Sequence, residues 1–213
     1  MLTIKLGNPH LRDQLTDSYE LNLQYQRKKV SAGLIVYDRE TRNLESSDYS
    51  VVSGVNVFRL INSGTRRDRG AEIDLSTPII KRVKLNASLN LFDEREPVGT
   101  AAGARNESAF RYTTNATLEW DGPDRGKVPG DIFELQWLYI SPARQFQVHN
   151  FAWNWLSLSY THSFSHTLSV TATLKYETGV GHRLLAPLVQ EYFAEHRPAE
   201  FKVKLLKTFG NSK

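Results

Sequence analysis

The sequence has no cysteine and a single methionine among 213 residues. Without cysteine there is no disulfide framework, no thiolate metal site and no catalytic thiol. No stretch approaches the ~18 consecutive apolar residues of a membrane-crossing helix. Met1-Leu2-Thr3-Ile4-Lys5 runs straight into polar sequence, without the apolar core of a secretory leader. Charge of one sign is also scarce: 27 Lys and Arg stand against 23 Asp and Glu, a net +4. That excess is too mild to indicate a nucleic-acid partner. A mean hydropathy of −0.44 completes what composition alone would call an ordinary soluble domain.

What is present is alternation. Tyr19, Leu21, Leu23 and Tyr25 are interleaved with Glu20, Asn22, Gln24 and Gln26. The same period recurs in Val30–Val36, Val83–Leu91, Phe110–Trp120, Leu168–Tyr176 and Phe201–Leu205. Successive side chains on a strand point to opposite faces, so each run has one apolar and one polar face. Only Leu184–Glu195 has helical promise, and Pro187 interrupts it.

Two architectures produce this pattern. A soluble sandwich buries the apolar face as its core. An outer-membrane barrel turns the apolar face to lipid and the polar face to the lumen. Run length favours the barrel. Phe110 to Trp120 spans roughly 33 Å at ~3.3 Å per residue. Tilted by ~40°, it covers about the 25 Å of a barrel's apolar band. Aromatics gather near run ends, as interfacial girdles do: Phe110, Tyr112 and Trp120 on one run, Tyr19, Tyr25, Tyr176, Phe201 and Phe209 on others. Connections alternate between short (Lys28-Lys29, Pro78–Arg82, Asp121–Pro129, Ser165-His166) and longer (Glu45–Val52, Asp93–Glu107, Ser141–Asn150, Gly179–His196). Short turns belong on the periplasmic side and long loops outside the cell.

The stretch Ser53–Thr77 reads as one strand. Val55, Val57, Ile61, Ala71, Ile73 and Leu75 all sit at odd positions, and a bend or bulge near Gly64 and Gly70 preserves that phase. Its upper half would carry Arg59, Arg67 and Arg69 to anionic headgroups. Nine strands result: 16–27, 30–44, 53–77, 83–94, 108–120, 131–141, 150–164, 167–178 and 197–209. Residues 1–15 are then an external loop remnant and 210–213 a periplasmic tail. Single-chain bacterial barrels usually have an even strand count. The odd count, with no leader, leads to the expectation of a partial barrel, the C-terminal portion of a larger one. Splitting 53–77 would give ten strands and a small closed barrel instead.

Particular motifs resemble one family. Gly7-Asn8-Pro9-His10-Leu11 followed by Asp17-Ser18-Tyr19-Glu20-Leu21, the long strand Asn62–Glu72 with its Gly64, Arg67 and Gly70, and the terminal Phe201–Phe209 are similar to landmarks of TonB-dependent outer-membrane receptors, in their outer membrane β-barrel subgroup. The resemblance implies an all-β, antiparallel transmembrane β-barrel in the bacterial outer membrane. It implies uptake of a siderophore, saccharide or similar nutrient. Implied partners are membrane lipid, the barrel-assembly machinery reading Phe201, Val203, Leu205 and Phe209, an absent plug with further upstream strands, and TonB through an absent N-terminal region. The sequence departs from the family where Gly210-Asn211-Ser212-Lys213 follow the final aromatic.

Catalytic and metal chemistry find little support. His162 and His166 bracket a turn and are not one turn apart on a helix. Gly-x-Ser-x-Gly, His-Glu-x-x-His and P-loop patterns are absent. Glu72 and Asp74 share one strand face and suit a hydrated lumen. No cofactor is expected and the chain is not read as an enzyme. The external loop around Gln145, Gln147, His149, Trp153 and Trp155 offers polar and aromatic contacts for a sugar or chelate. The two tryptophans are read in preference as members of the upper girdle. A small enzymatic or porin-like barrel and a soluble β-sandwich binding module remain as alternatives.

Overall fold

The computed structural model describes residues 2–100, 103–184, 192–195 and 197–209. Nine strands follow one another in a single antiparallel sheet: β2 (Leu15–Arg27), β3 (Val30–Val52), β4 (Val55–Ile80), β5 (Val83–Val98), β6 (Arg105–Asp121), β7 (Ile132–Ile140), β10 (Trp153–Ser165), β11 (Leu168–Thr178) and β14 (Glu200–Lys207). β1 (Thr3–Leu6) adds in parallel to the outer end of β4. β8 (Ala143–Gln145), β9 (Val148–Asn150), β12 (Val180–Leu184) and β13 (Tyr192–Glu195) form a separate small sheet. No described helix is long and apolar enough to cross a membrane, which leaves open a crossing by strands.

The register turns the sequence alternation into two surfaces. One residue from each of the nine strands aligns in the row Gln26, Ser31, Ser76, Asn86, Thr117, Gln136, Ser157, Lys175 and Glu200. Every one is polar. The adjacent row, on the opposite face, reads Tyr25, Ala32, Leu75, Ala87, Ala116, Trp137, Leu156 and Tyr176. Every one is apolar or aromatic. The next row on that face adds Leu85, Leu118, Leu135, Leu158, Leu174 and Phe201. A one-residue slip at any strand would exchange its two faces, so pairing is strongly specified.

The apolar face has an edge. Its last apolar row is Leu21, Val36, Ala71, Leu91 and Tyr112. One step further it becomes Tyr19, Asp38, Arg69, Asp93 and Phe110. On β6 the band runs from Tyr112 to Trp120, roughly 26 Å along the strand. These large side chains are solvent-exposed rather than packed in a core: Phe110 is 68% exposed, Tyr19 76% and Phe201 67%. An apolar surface of this extent is stable only against lipid or a partner.

Tyr37 and Gly70 form a joint at the top of the band. The Tyr37 hydroxyl donates to Asn90 Oδ1 at 2.8 Å across Gly70. A Cβ on Gly70 would lie 2.4 Å from the Leu91 carbonyl oxygen and 2.6 Å from Phe92 Cβ. Both neighbours belong to the paired strand β5 and cannot yield locally. Gly70→Ala is therefore expected to cost about 1–3 kcal/mol, the usual range for overpacking, measurable as a lowered midpoint of denaturant unfolding in detergent.

Several sequence expectations change in detail. The single long strand holds, with its irregularity at Gly64, where the register shifts against Leu44; Gly70 stays in register. Glu45–Val52 is not a loop but the outer end of β3, and only Ser53-Gly54 turn the chain. Asp93–Glu107 is mostly strand, since β5 continues to Val98 and β6 begins at Arg105. Ser141–Asn150 contains β8 and β9. Residues 1–15 are not a bare loop. Asn8 donates to the Leu60 carbonyl, and Asn62 and the Arg12 backbone exchange two hydrogen bonds, so this segment is tied to β4. The turn after β10 is His166-Thr167. Of the stretch with helical promise, Leu184 and Tyr192–Glu195 are strand, and 185–191 lie outside the described residues, as does the tail 210–213. β14 ends at Lys207, so Phe209 follows the strand, 87% exposed.

Candidate functional site

The polar face is covered at its outer end by the β8–β9 hairpin. Phe146-Gln147 form its two-residue turn, and Gln147 adopts a positive φ of 57°. The Gln147 amide N–H donates to the Gly99 carbonyl at 3.0 Å. Its side chain, 1% exposed, accepts from the Tyr49 N–H at 2.7 Å and donates to the Tyr49 carbonyl at 3.1 Å. Gln147 thus mimics a backbone partner for β3 and fastens the hairpin to the wall. Its amide is engaged by the protein and is not open to a solute. β9 pairs antiparallel with β12, His149 standing opposite Arg183.

Beneath the hairpin lies a buried ionic chain. Glu94 accepts from Arg111 Nη1 at 2.6 Å and pairs with Arg66 Nη2 at 2.7 Å. Arg66 also holds Asp68 through Nε at 3.0 Å. Arg111 Nη2 reaches the Ser141 carbonyl at 3.4 Å. Glu96 lies one polar-face step further out and is 3% exposed. It stands 3.9 Å from Arg66 Nη1, and its Oε1 has no hydrogen-bond partner. Burial, reinforced by the neighbouring Glu94, pushes the Glu96 carboxyl up to about 7 from 4.5.

The sign of the linkage follows. A carboxyl raised in the folded state binds more protons there than in the unfolded state between pH 4.5 and about 7. Its stabilising share is complete below pH 4.5 and is lost as pH rises to about 7. Hydrogen-exchange protection of the hairpin, corrected for intrinsic rates, is expected to fall across that window and to level above it. Glu96→Gln should flatten the profile.

The hairpin divides the covered space in two. On one side a cavity of about 320 Å³ is bounded by β3, β4, β5 and the hairpin, with Arg66, Glu96 and Gln145 on its walls. On the other a cavity of about 380 Å³ is bounded by Arg111, Ser141, Asn150, Trp153 and Glu177, again with Gln145. Arg66 faces the first and Arg111 the second, and Glu94 holds both. Of the five residues expected to bind a ligand, Gln145 and Trp153 therefore meet at one cavity, and Gln145 serves both. Asn150 donates to Gln145 Oε1 at 3.2 Å. His149 packs edge-on against Phe151, and burial lowers its affinity for a proton.

The register also places the tryptophans. Trp155 pairs with Leu138 and Glu177, and Trp153 with Ile140, on the same face as Ser157, Gln136 and Lys175. They stand on the polar face, not in the lipid-facing girdle; the outward aromatics at the ends of the band on β7 and β10 are Phe133, Tyr139 and Tyr160. Lys202 and Lys204 pair with Thr173 and Thr171 and share the polar face. The arginines expected at headgroups already have carboxylate partners: Arg59 holds Asp48 at 2.8 Å, and Arg67 and Arg69 hold Asp38 at 2.6 and 3.2 Å. Arg66, Glu94, Glu96 and Arg111 escaped the sequence reading. Their parity on the polar face was visible; their convergence depends on register across three strands.

A wide antiparallel sheet with an exposed apolar band, a polar opposite face and a charged step at the band's edge defines the wall of a transmembrane β-barrel. Residues 1–176 match the outer membrane protein beta-barrel family, and the chain belongs to that family. Its place is the bacterial outer membrane. No curated protein and no solved structure matches the chain.

Proposed function

We propose that this chain is the barrel wall of a TonB-dependent receptor, and that the two cavities beside the β8–β9 hairpin are where a nutrient solute is met on its way in. The observation that carries this is the placement of Trp153 and Trp155 on the polar face beside a hairpin folded across it. A purely structural wall has no need of aromatic surface turned to the lumen. Tryptophan faces suit the apolar faces of sugars and chelates, and Gln145, Asn150 and Glu177 supply directed polar groups around them, as in small-ligand sites generally.

The edges support a wall made by more than these strands. Among the described residues, β2 and β14 each pair on one side only. Unpaired backbone groups in hydrocarbon cost several kcal/mol each. Further strands, with a plug, are proposed to complete the ring, and the assembly machinery to read Phe201, Val203, Leu205 and Phe209. The site is read as a binding site without catalysis, with Glu94 committed to two guanidiniums.

The test is uptake by producing cells of radiolabelled saccharides and ferric chelates, with and without a proton-motive-force uncoupler. The reading expects energy-dependent uptake of at least one probe that falls at least tenfold when residues 144–149 are replaced by Gly-Gly. Uptake insensitive to both treatments contradicts it.

A further inference from the structure

We propose that the cavity between β3, β4, β5 and the hairpin is a subsite for the protonated amino group of an incoming solute, with Glu96 as its counter-ion. The inference rests on the reading of these cavities as a solute site and names the chemistry that one of them selects.

Charge in this cluster is unmatched. Asp68, Glu94 and Glu96 are its three carboxylates, the last two buried; Arg66 and Arg111 are its two guanidiniums. The guanidiniums reach Asp68 and Glu94 at 2.6 to 3.0 Å, and Arg111 Nε makes no hydrogen bond. Glu96 is left with one distant contact and a buried oxygen that accepts no hydrogen bond. Such an oxygen costs free energy unless a donor arrives. The groups facing Glu96 from neighbouring elements do not supply one. β3 contributes Ser46, whose hydroxyl is shared with Ser63 at 2.7 Å. β6 sets Glu107 directly opposite in register, where it is already paired with Arg105 at 2.8 Å. β4 offers Arg66 and Asp68, already joined. The hairpin offers Gln145, whose oxygen is held by Asn150 and whose amide nitrogen is left to donate.

The cavity therefore presents the Glu96 carboxylate and the Gln145 amide donor within about 320 Å³. An ammonium carries three N–H donors and one positive charge and answers both deficits at once. Gln145 is placed to donate to a neighbouring hydroxyl of the same solute. An anion would meet Glu96 with Glu94 beside it, and a wholly neutral solute would leave the excess charge in place. When Glu96 is protonated before binding, the ammonium displaces that proton to solvent: the carboxyl O–H bond breaks, the carboxylate keeps the electron pair and pairs with the ammonium. Binding thus releases a proton near neutral pH and none well above it.

Ethanolamine and 1,2-ethanediol are matched probes, alike in size and in one hydroxyl and different in charge. Isothermal titration of the detergent-purified full chain at pH 7 in two buffers of different ionisation enthalpy reads affinity and proton release together. Ethanolamine is expected to bind at least tenfold more tightly than ethanediol, with a fraction of a proton released at pH 7 and almost none at pH 8. Glu96→Gln, close to isosteric, is expected to reduce ethanolamine affinity at least tenfold with heat-modifiable gel mobility unchanged. Equal affinity for the two probes, binding of neither, or ethanolamine binding without proton release at pH 7 would overturn the proposal. The last is measured on the unaltered chain and so does not depend on a variant folding. Preference for ethanediol would overturn the ammonium subsite while leaving the solute-binding vestibule standing; loss of energy-dependent uptake in cells would instead strike at the receptor reading.

Discussion

Leu75→Arg is expected to abolish most assembly into the outer membrane, while Ser88→Arg is tolerated. Leu75 lies in the middle row of the apolar face, beside Ala32 and Ala87. Arginine at the lipid-facing midplane of a barrel costs about 2–4 kcal/mol. Ser88 is nearly at the same height, opposite Asp74 on the polar face. There a guanidinium meets water and a carboxylate, and a cost below about 0.5 kcal/mol is expected, as for other tolerated surface changes. The comparison is made by the folded fraction in isolated outer membranes, read from heat-modifiable mobility. Equal losses from the two variants would mean that the faces are not lipid and lumen.

The second large effect is expected at Glu94. Glu94→Ala leaves the guanidinium of Arg111, buried at 8% exposure, with a 3.4 Å contact to the Ser141 carbonyl and the Phe92 ring 5.7 Å away. Removing one partner of a buried pair costs about 3–5 kcal/mol, because the remaining charge is uncompensated. Replacing both partners, Glu94→Leu with Arg111→Met, removes that charge and is expected to cost less than Glu94→Ala alone. Arg66 keeps Asp68 in either case. Denaturant unfolding in detergent gives all of these values. A cost below about 1 kcal/mol for Glu94→Ala would show that solvent reaches the cluster and that the hairpin does not cover it.

The strands were legible where lipid imposes alternation. Phe110–Trp120 and Leu168–Tyr176 show it because every second side chain must be apolar. Above the band the constraint lapses. Glu45-Ser46-Ser47-Asp48 are polar on both faces, so the outer end of β3 looked like loop; the same holds for Arg95 and Glu96 on β5. Backbone pairing with β4 and β6, which leaves no hydropathy signature, keeps these segments extended. Trp153 and Trp155 were visible as candidates, yet their face was not fixed until Trp155 was registered against Leu138 and Glu177. Gln147 seemed a polar loop residue open to ligand; a partner 98 positions away in the chain, Tyr49, makes it a clamp. Arg66, Glu94 and Arg111 come from β4, β5 and β6, and only register brings them together.

The absence of cysteine that opened the sequence supplies a clean background for single-cysteine spin labels. Labels placed one at a time from Thr113 to Trp120 in membranes test the central claim most directly, through collision with oxygen, which concentrates in lipid, and with a water-soluble nickel chelate. The account expects oxygen-dominated relaxation at Thr114, Ala116, Leu118 and Trp120 and nickel-dominated relaxation at Thr113, Asn115, Thr117 and Glu119. Oxygen access without alternation, or the apolar set shielded from both reagents as in a packed core, would contradict it.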